Sequence, residues 1–438
     1  MLSWLKKHYF WIIVLVMMFQ TTIYGGMGNT IASIYTIPVT TDLGMSRGDF
    51  SLAISMRPLI LFIGMTFSGP IYKRFGVKRP MIFGLLTLAV SYVMLSFSES
   101  FLMMAISCAL AGLGEAFVGT AAISRVVNNW FHRYQGTLLG LITACTGLGG
   151  GIFSVSLSTV IQETGWRSSR LVSALWLAIA AVALFLILKD KPEQLSLRPF
   201  GESHKPKQIS DEAVTKKRSM RRPDEHWEGY TFQELLRKPI FYVAALTFFL
   251  SGVSIYSAFS TIAPHLQDKG LSASDAAFMN GLMLIFLAVF KFGCGSISDI
   301  IGSKWVCCIC MAAAAVSLWL LPDVNNIAGA IPVIAIYSMS VPLTLVVLSL
   351  VTYPLFGDRS HDASLGIFLA LPYAGSLVIV PITNSIYDAY GSYDSVFRLS
   401  AILAVVVIIM LLIVYVWAKK EQQKYLNLNA SENAKEGE

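Results

Sequence analysis

The chain has 438 residues, 55% of them hydrophobic and only 13% charged, with a mean hydropathy of +0.64. A soluble chain of average make-up is about 45–50% apolar and about 25% charged, so too few polar side chains remain here to cover a water-facing surface. That excludes a soluble enzyme and a disordered scaffold, and it points to an integral membrane protein. The net charge of +7 and the pI near 9.0 come from cations in short segments between apolar stretches, a pattern of membrane topology. No basic recognition helix or finger spacing accompanies them, which argues against a nucleic-acid partner.

In chain order, stretches long enough to span a bilayer, about 20 mostly apolar residues, fall near 10–38, 49–71, 80–98, 101–124, 137–160, 168–188, 240–264, 276–297, 304–321, 328–352, 364–386 and 397–418. The first follows Lys6 and Lys7 without a cleavage pattern, so it reads as a retained span rather than a signal peptide. A long polar stretch separates the sixth from the seventh. The expected organisation is a six-helix bundle over 1–190, a cytoplasmic linker over 191–235, a second six-helix bundle over 236–420 and a mobile tail over 421–438. Thr231 and Glu234 have capping-box spacing, which predicts a short surface helix near the linker's end. Cys108, Cys145, Cys294, Cys307, Cys308 and Cys310 all sit in apolar runs without His or acidic neighbours. They read as packing residues, with no disulfide framework and no metal site.

Lys6, Lys7, Lys73, Arg74, Lys78, Arg79, Arg133, the linker, Lys304, Arg359, Lys419 and Lys420 fall on one side of the spans. The opposite loops carry mainly acids, among them Asp42, Asp49, Asp268 and Asp394. Positive charge accumulates on the cytoplasmic side, so both termini are expected in the cytoplasm and the protein in the inner (cytoplasmic) membrane. A shift of about 226 residues superposes Pro38 on Pro264, Gly44 on Gly270, Gly69 on Gly295, Gly76 on Gly302, Gly140 on Gly366 and Gly165 on Gly391. Glycine and proline occupy the least substitutable backbone positions, so this agreement predicts one fold used twice. Six spans per copy make the repeats parallel, about an axis normal to the membrane.

Two segments, "GPIYKRFGVKR" from Gly69 to Arg79 and "GSISDIIGSK" from Gly295 to Lys304, stand one per half after the second and eighth spans. They resemble the loop signature G-x-x-x-D-R-x-G-R-[RK] of the major facilitator superfamily. The resemblance assigns a gating role to Gly69, Arg74, Gly76, Gly295, Asp299 and Gly302. The first copy departs from the pattern, with Lys73 where the family usually has Asp. "GMSRGDFSLAIS", "NNWFHRYQGTLLGL" and "YTFQELLRKPIFY" are similar to segments of the bacterial oxalate/formate-antiporter and monocarboxylate-transporter-like branch. That branch places a substrate-binding arginine four residues before the second loop glycine, a position held here by Lys291. Its other marker residues are missing: "SLGIFLALPYAGSLVIVP" has no lysine, Asn29-Thr30 stands in place of a first-span lysine, and Leu287 stands in place of an aspartate. This disfavours oxalate as substrate and leaves the animal proton-coupling scheme without its residues.

Two charges lie at bilayer depth, where they usually face a cavity or a partner. Arg57 suits an anionic substrate and Glu115 suits a coupling proton, and a structural bridge between the two is the competing reading. Tyr24 and Asn29 in the first span, Tyr256 in the seventh and Tyr373 in the eleventh offer hydrogen bonds to a substrate oxygen or to a neighbouring helix. His265 and His361 lie near span ends, where solvated or capping roles are expected. "GLGGG", Gly147 to Gly151, reads as close helix packing. No enzyme signature occurs, and no catalytic residue, metal or cofactor is assigned.

The expectation is an all-α membrane protein of twelve transmembrane helices in two parallel six-helix repeats. It would act as a monomeric secondary carrier, a proton symporter for a small organic anion, a monocarboxylate, with lipid and protons as its other partners. The rivals are an efflux carrier for amphipathic compounds and, from another class, a transporter-like membrane sensor signalling through the linker.

Overall fold

The structure, a computed structural model, describes residues 2–131, 134–195, 197, 199–200, 230–344, 351, 355–357 and 361–436. Among these residues the regular structure is helical, apart from one isolated bridge between Phe131 and Phe200, and twelve helical segments are long and apolar enough to cross a membrane. In hydrocarbon every backbone N–H and C=O has to be satisfied within its own span, which for a single segment means a helix. The chain is a multi-pass membrane protein.

The first six spans run through α1 (Leu2–Gly26), the short α2 (Thr36–Leu43), α3 (Arg47–Phe75), α4 (Lys78–Ser96), α5 (Phe101–Ala116) continued by α6 (Thr120–Trp130), α7 (Gln135–Thr164) and α8 (Trp166–Ile187). The short α9 (Phe232–Leu235) then leads into α10 (Pro239–Phe259), α11 (Ile262–Asp268), α12 (Ala273–Ile301), α13 (Ser303–Leu320), α14 (Ile327–Ser340), α15 (His361–Tyr390) and α16 (Asp394–Glu436). α9 opens on a capping box: Thr231 accepts from the Glu234 amide and the Glu234 carboxylate accepts from the Thr231 amide.

Three elements depart from their sequence-based bounds. α1 stops at Gly26, inside the expected 10–38 span, and the chain turns before a 3-10 helix over Asn29–Tyr35; Gly25, Gly26 and Gly28 make this the stretch least committed to helix. α14 ends at Ser340 because Pro342 has no amide to continue the ladder, and most of 345–352 lies outside the described residues. The last helix runs on to Glu436, past residue 421 where a mobile tail is expected. Residues 201–229 of the linker lie outside the described residues.

The repeat is visible in the backbone. Gly44, Gly76 and Gly165 have φ of +61°, +76° and +89°, and their counterparts Gly270, Gly302 and Gly391 have +96°, +85° and +70°, a left-handed region that glycine enters without penalty. Helix starts agree too. Ser46 caps α3 by accepting from the Asp49 amide, and Ser272, its counterpart, caps α12 by accepting from the Asp275 amide.

Close crossings hold the helices in register. A Cβ on Gly149 would lie 2.1 Å from the Thr22 carbonyl oxygen, and one on Gly150 would lie 2.5 Å from Leu284. The "GLGGG" run therefore packs α7 against α1 on one side and α12 on the other, as small residues do where membrane helices approach closely. Across the halves α7 lies on α12 and α3 on α15.

Twelve spans return both termini to one end of the molecule, and the halves are fastened toward the other, far end. Ser33 donates to Asn280 Oδ1 at 2.9 Å, Asn280 donates to Ser154 at 3.1 Å, and Ser154 donates to the Ala277 carbonyl at 2.8 Å. Arg47 closes the far end itself. Its guanidinium grips Asp268 at 2.7 and 2.9 Å, donates to the Tyr393 hydroxyl at 3.0 Å and lies 3.7 Å above the Tyr387 ring. The Arg47 and Gly48 amides donate to the Asp388 carboxylate at 2.9 and 2.6 Å.

Candidate substrate site

Arg57 lies ten residues into α3, about 15 Å along the axis at 1.5 Å per residue, and only 7% of it is exposed. Its partner comes from α5 through a glycine-dependent approach: a Cβ on Gly112 would stand 2.2 Å from the Arg57 carbonyl oxygen, so only glycine permits this crossing. One helical turn on, Glu115 reaches the guanidinium, with Arg57 Nε 2.8 Å from its Oε2. Gly114, on another face of α5, makes a second close crossing, where a Cβ would lie 2.6 Å from the Gly84 carbonyl oxygen of α4. The "GLGE" segment is thus a packing device that delivers one carboxylate.

The rest of the guanidinium is unevenly satisfied. Nη1 donates to the Tyr92 hydroxyl at 3.0 Å, and Tyr92 donates in turn to the Met27 carbonyl at 2.5 Å, where α1 breaks. Nη2 is buried and has no hydrogen-bond partner among the described residues; it stands 3.2 Å from where a Cβ on Gly28 would lie. Nε and Nη2 form one edge of the guanidinium, the edge that grips a carboxylate with two parallel hydrogen bonds. Glu115 occupies one half of it.

The tyrosines gather at this level. Tyr24 of α1 lies within electrostatic reach of Glu115 and Arg57, and Tyr373 of α15 within reach of Tyr24, Tyr256 and Glu115. Tyr256 and Tyr373 pack with ring centroids 5.9 Å apart, and the Tyr256 hydroxyl is 3.2 Å from Thr344 Oγ1. Another glycine crossing sets this pair: a Cβ on Gly252 would lie 2.3 Å from the Pro372 carbonyl. The structure thereby brings Arg57, Glu115, Tyr24, Tyr256 and Tyr373 together where the halves meet. Lys291 sits on α12, half-buried, and makes no hydrogen bond or ion pair among the described residues. The side chains of Asn29 and Asp299 lie outside the described residues, as does that of His361.

The positions of the two loop-signature copies divide between the halves. Gly69, Arg74 and Gly76 close α3, and Gly295, Asp299 and Gly302 close α12. Asp190 accepts from the Val77 and Lys78 amides at 2.7 Å each, tying the first loop to the end of the sixth span.

Several residues escape the sequence reading. Arg170 is buried near the start of α8, its guanidinium 3.5 Å above the Tyr35 ring and 5.3 Å from that of Tyr92. Its place close to a span end makes it look interfacial. Tyr92, which joins Arg57 to the break in α1, carries no pattern that marks it. Of the two roles expected for His265, solvated or capping, the structure shows a buried ring with Nε2 3.1 Å from the carbonyl of Leu321, the residue that closes α13, and burial holds its imidazole below the ordinary value. Among the described residues no cluster of His, Cys, Asp or Glu has the make-up of a metal site.

Residues 10–361 match the family description "Major Facilitator Superfamily". The chain belongs to that superfamily. It is 22% identical over 411 residues to the oxalate:formate antiporter of Oxalobacter formigenes, covering 92% of this chain and 91% of that one. It is 21% identical over 406 residues to the hexuronate transporter of Bacillus subtilis (strain 168), covering 90% and 92%. Two other curated relatives are covered over only 52% and 61% of their length. Among solved structures, the nucleoside transporter NupG superposes with a TM-score of 0.72 over 93% of this chain and 99% of that one, at 11% identity; this likeness concerns the fold.

Proposed function

We propose that this protein is a secondary carrier of a small organic anion, a monocarboxylate, coupled to a proton and working by alternating access. In this reading it is a monomer of the cytoplasmic membrane with both termini inside, and residues 1–190 rock against 236–420. The observation that carries it is the side-on edge of Arg57, buried at mid-membrane with Nε on Glu115 and Nη2 unpartnered.

A buried guanidinium half-satisfied by one carboxylate oxygen favours a ligand that supplies the other hydrogen bond. Glu115 and a substrate carboxylate compete for the same edge. A proton on Glu115 removes its charge and frees Nε, so the anion gains both hydrogen bonds only when the proton has also arrived. That linkage couples the two in one direction, anion with proton. Tyr24 from one half and Tyr256 and Tyr373 from the other flank the edge and donate to further substrate oxygens. Lys291 supplies a second cation on the path toward the terminal end. Two relatives matched over most of their length are named a hexuronate transporter and an oxalate:formate antiporter, and these names support organic anions as the class of cargo in this reading.

The test is a thermal-shift screen of the purified protein against small carboxylates, sugars, amino acids and lipophilic cations, since a ligand of the native state raises the melting point. A carboxylate is expected to stabilise the protein at acid pH more than at neutral pH, with the effect lost in Arg57→Gln and weakened in Lys291→Gln. Stabilisation by neutral or cationic compounds alone, unchanged in both variants, refutes the reading in favour of an efflux carrier.

A further inference from the structure

At the end where the termini lie, a cavity of about 630 Å³ opens between the first gating loop, α6 and the segment after α8. Four cations line it: Lys73, Arg79, Arg125 and Lys191. None of them forms an ion pair among the described residues. The one acid in the lining, Asp190, has an oxygen committed to the Val77 and Lys78 amides, so it fixes the loop's shape while leaving the cavity strongly positive. Arg125 has its guanidinium carbon 5.2 Å from the centroid of the Tyr72 ring, within cation–π reach. Lys73 stands where the loop signature has an acid, so the excess is a feature of this chain.

Positive charge at a membrane surface needs only scattered cations on solvated loops. Here the first loop, α6 and the segment after α8 bring four of them to the lining of one recess. Exposed aromatic side chains stand beside the recess: Phe75 is in its wall and 47% exposed, and Phe83 of α4 and Phe185 of α8 lie open on neighbouring helices that pack together. We propose that this cavity is a binding site for the phosphate of an anionic phospholipid headgroup, which pins the first gating loop to the bilayer. The apolar wall favours a lipid over a soluble phosphate, because the acyl chains then continue along Phe75 into the hydrocarbon. The inference is independent of the cargo proposed above and stands or falls without it.

The test uses the full chain in detergent, titrated with short-chain phosphatidylglycerol, phosphatidylcholine of the same chain length, or inorganic phosphate, with the melting point as readout. The expected result is a rise with phosphatidylglycerol only, and retention of that lipid in native mass spectra. Each cation removed, in Lys73→Gln, Arg125→Gln or Lys191→Gln, is expected to weaken binding roughly fivefold, the equivalent of about 1 kcal/mol per basic residue. Lys191→Gln alters only an exposed residue and keeps the test valid if Arg125→Gln fails to fold. Equal stabilisation by phosphatidylcholine, or an unchanged response in all three variants, overturns the site. Stabilisation by inorganic phosphate equal to that by phosphatidylglycerol overturns the lipid and leaves a soluble phosphate as ligand.

Discussion

Arg57 sets the terms at the residue scale. Removing its charge in Arg57→Gln leaves the partly buried Glu115 beside a neutral amide, and losing one partner of a fully buried pair costs about 3–5 kcal/mol, an upper bound here. Arg57→Gln should therefore melt well below the wild type, with the double variant Arg57→Gln/Glu115→Gln recovering part of the loss. A double-mutant cycle by thermal melting measures this, and additive losses would show that the pair is not coupled. Affinity for a stabilising carboxylate should fall roughly 30-fold or more in Arg57→Gln, the scale of about 2 kcal/mol or above for a buried charged hydrogen bond. Arg57 and Glu115 were legible in the sequence because charge inside an apolar run is rare. Arg170 was not, since a cation near a span's end looks the same whether it turns inward or outward.

At the scale of elements, glycine crossings decide which side chains meet. Gly112→Val places a branched side chain where even a Cβ lies 2.2 Å from a backbone oxygen. Overpacking of this kind costs about 1–3 kcal/mol, and the separation of α3 from α5 should also carry Glu115 away from Arg57. The expected outcome is a lower melting point together with loss of carboxylate stabilisation, whereas Gly165→Ala, at an open turn, should lower only the melting point. A second element-level contact joins α2 to α8: Asp42 accepts from Arg167 and Trp166, and these hydrogen bonds hold its carboxyl below the usual carboxylate value. A depressed folded-state pKa contributes stability above the unfolded value, about 3.9, and that contribution disappears as pH falls through the folded value. Asp42→Asn should therefore reduce the difference in melting point between neutral and acid pH, by a modest amount because the pair is nearly half exposed.

For the whole molecule, the contacts between the halves show which end is fastened. The Arg47 latch and the Ser33–Asn280–Ser154 chain lie toward the far end, which must part if the site is to open there. Arg47→Gln removes the grip on Asp268 and should shift the balance toward far-end opening by roughly tenfold, about 1.4 kcal/mol. The rate of maleimide labelling at Ser33→Cys reports it, in a background without the six native cysteines, and an unchanged rate would deny the latch its role. Bridging Ser33→Cys to Asn280→Cys with a short reducible thiol reagent should stop transport in liposomes and restore it on reduction, while leaving ligand binding from the terminal end intact.

The sequence by itself determined the helical membrane class, the twelve spans, the doubling of the fold and the superfamily. These follow from composition, from segment length, and from glycines whose positive φ no other residue adopts so readily. It also marked Tyr24, Tyr256 and Tyr373 one at a time, and Arg57 with Glu115 either singly or as a bridged pair, because polarity in an apolar span needs a reason. Only the tertiary structure decided that Glu115 takes one half of the Arg57 edge, that Tyr92 ties that arginine to the broken first span, and that Arg47 bolts the two halves together. Each of these joins residues far apart in the chain, and the meeting of Arg57 with Glu115 also depends on a helix crossing that has no room for a Cβ. A one-dimensional pattern records the glycines that permit such crossings, but not which helix each of them faces.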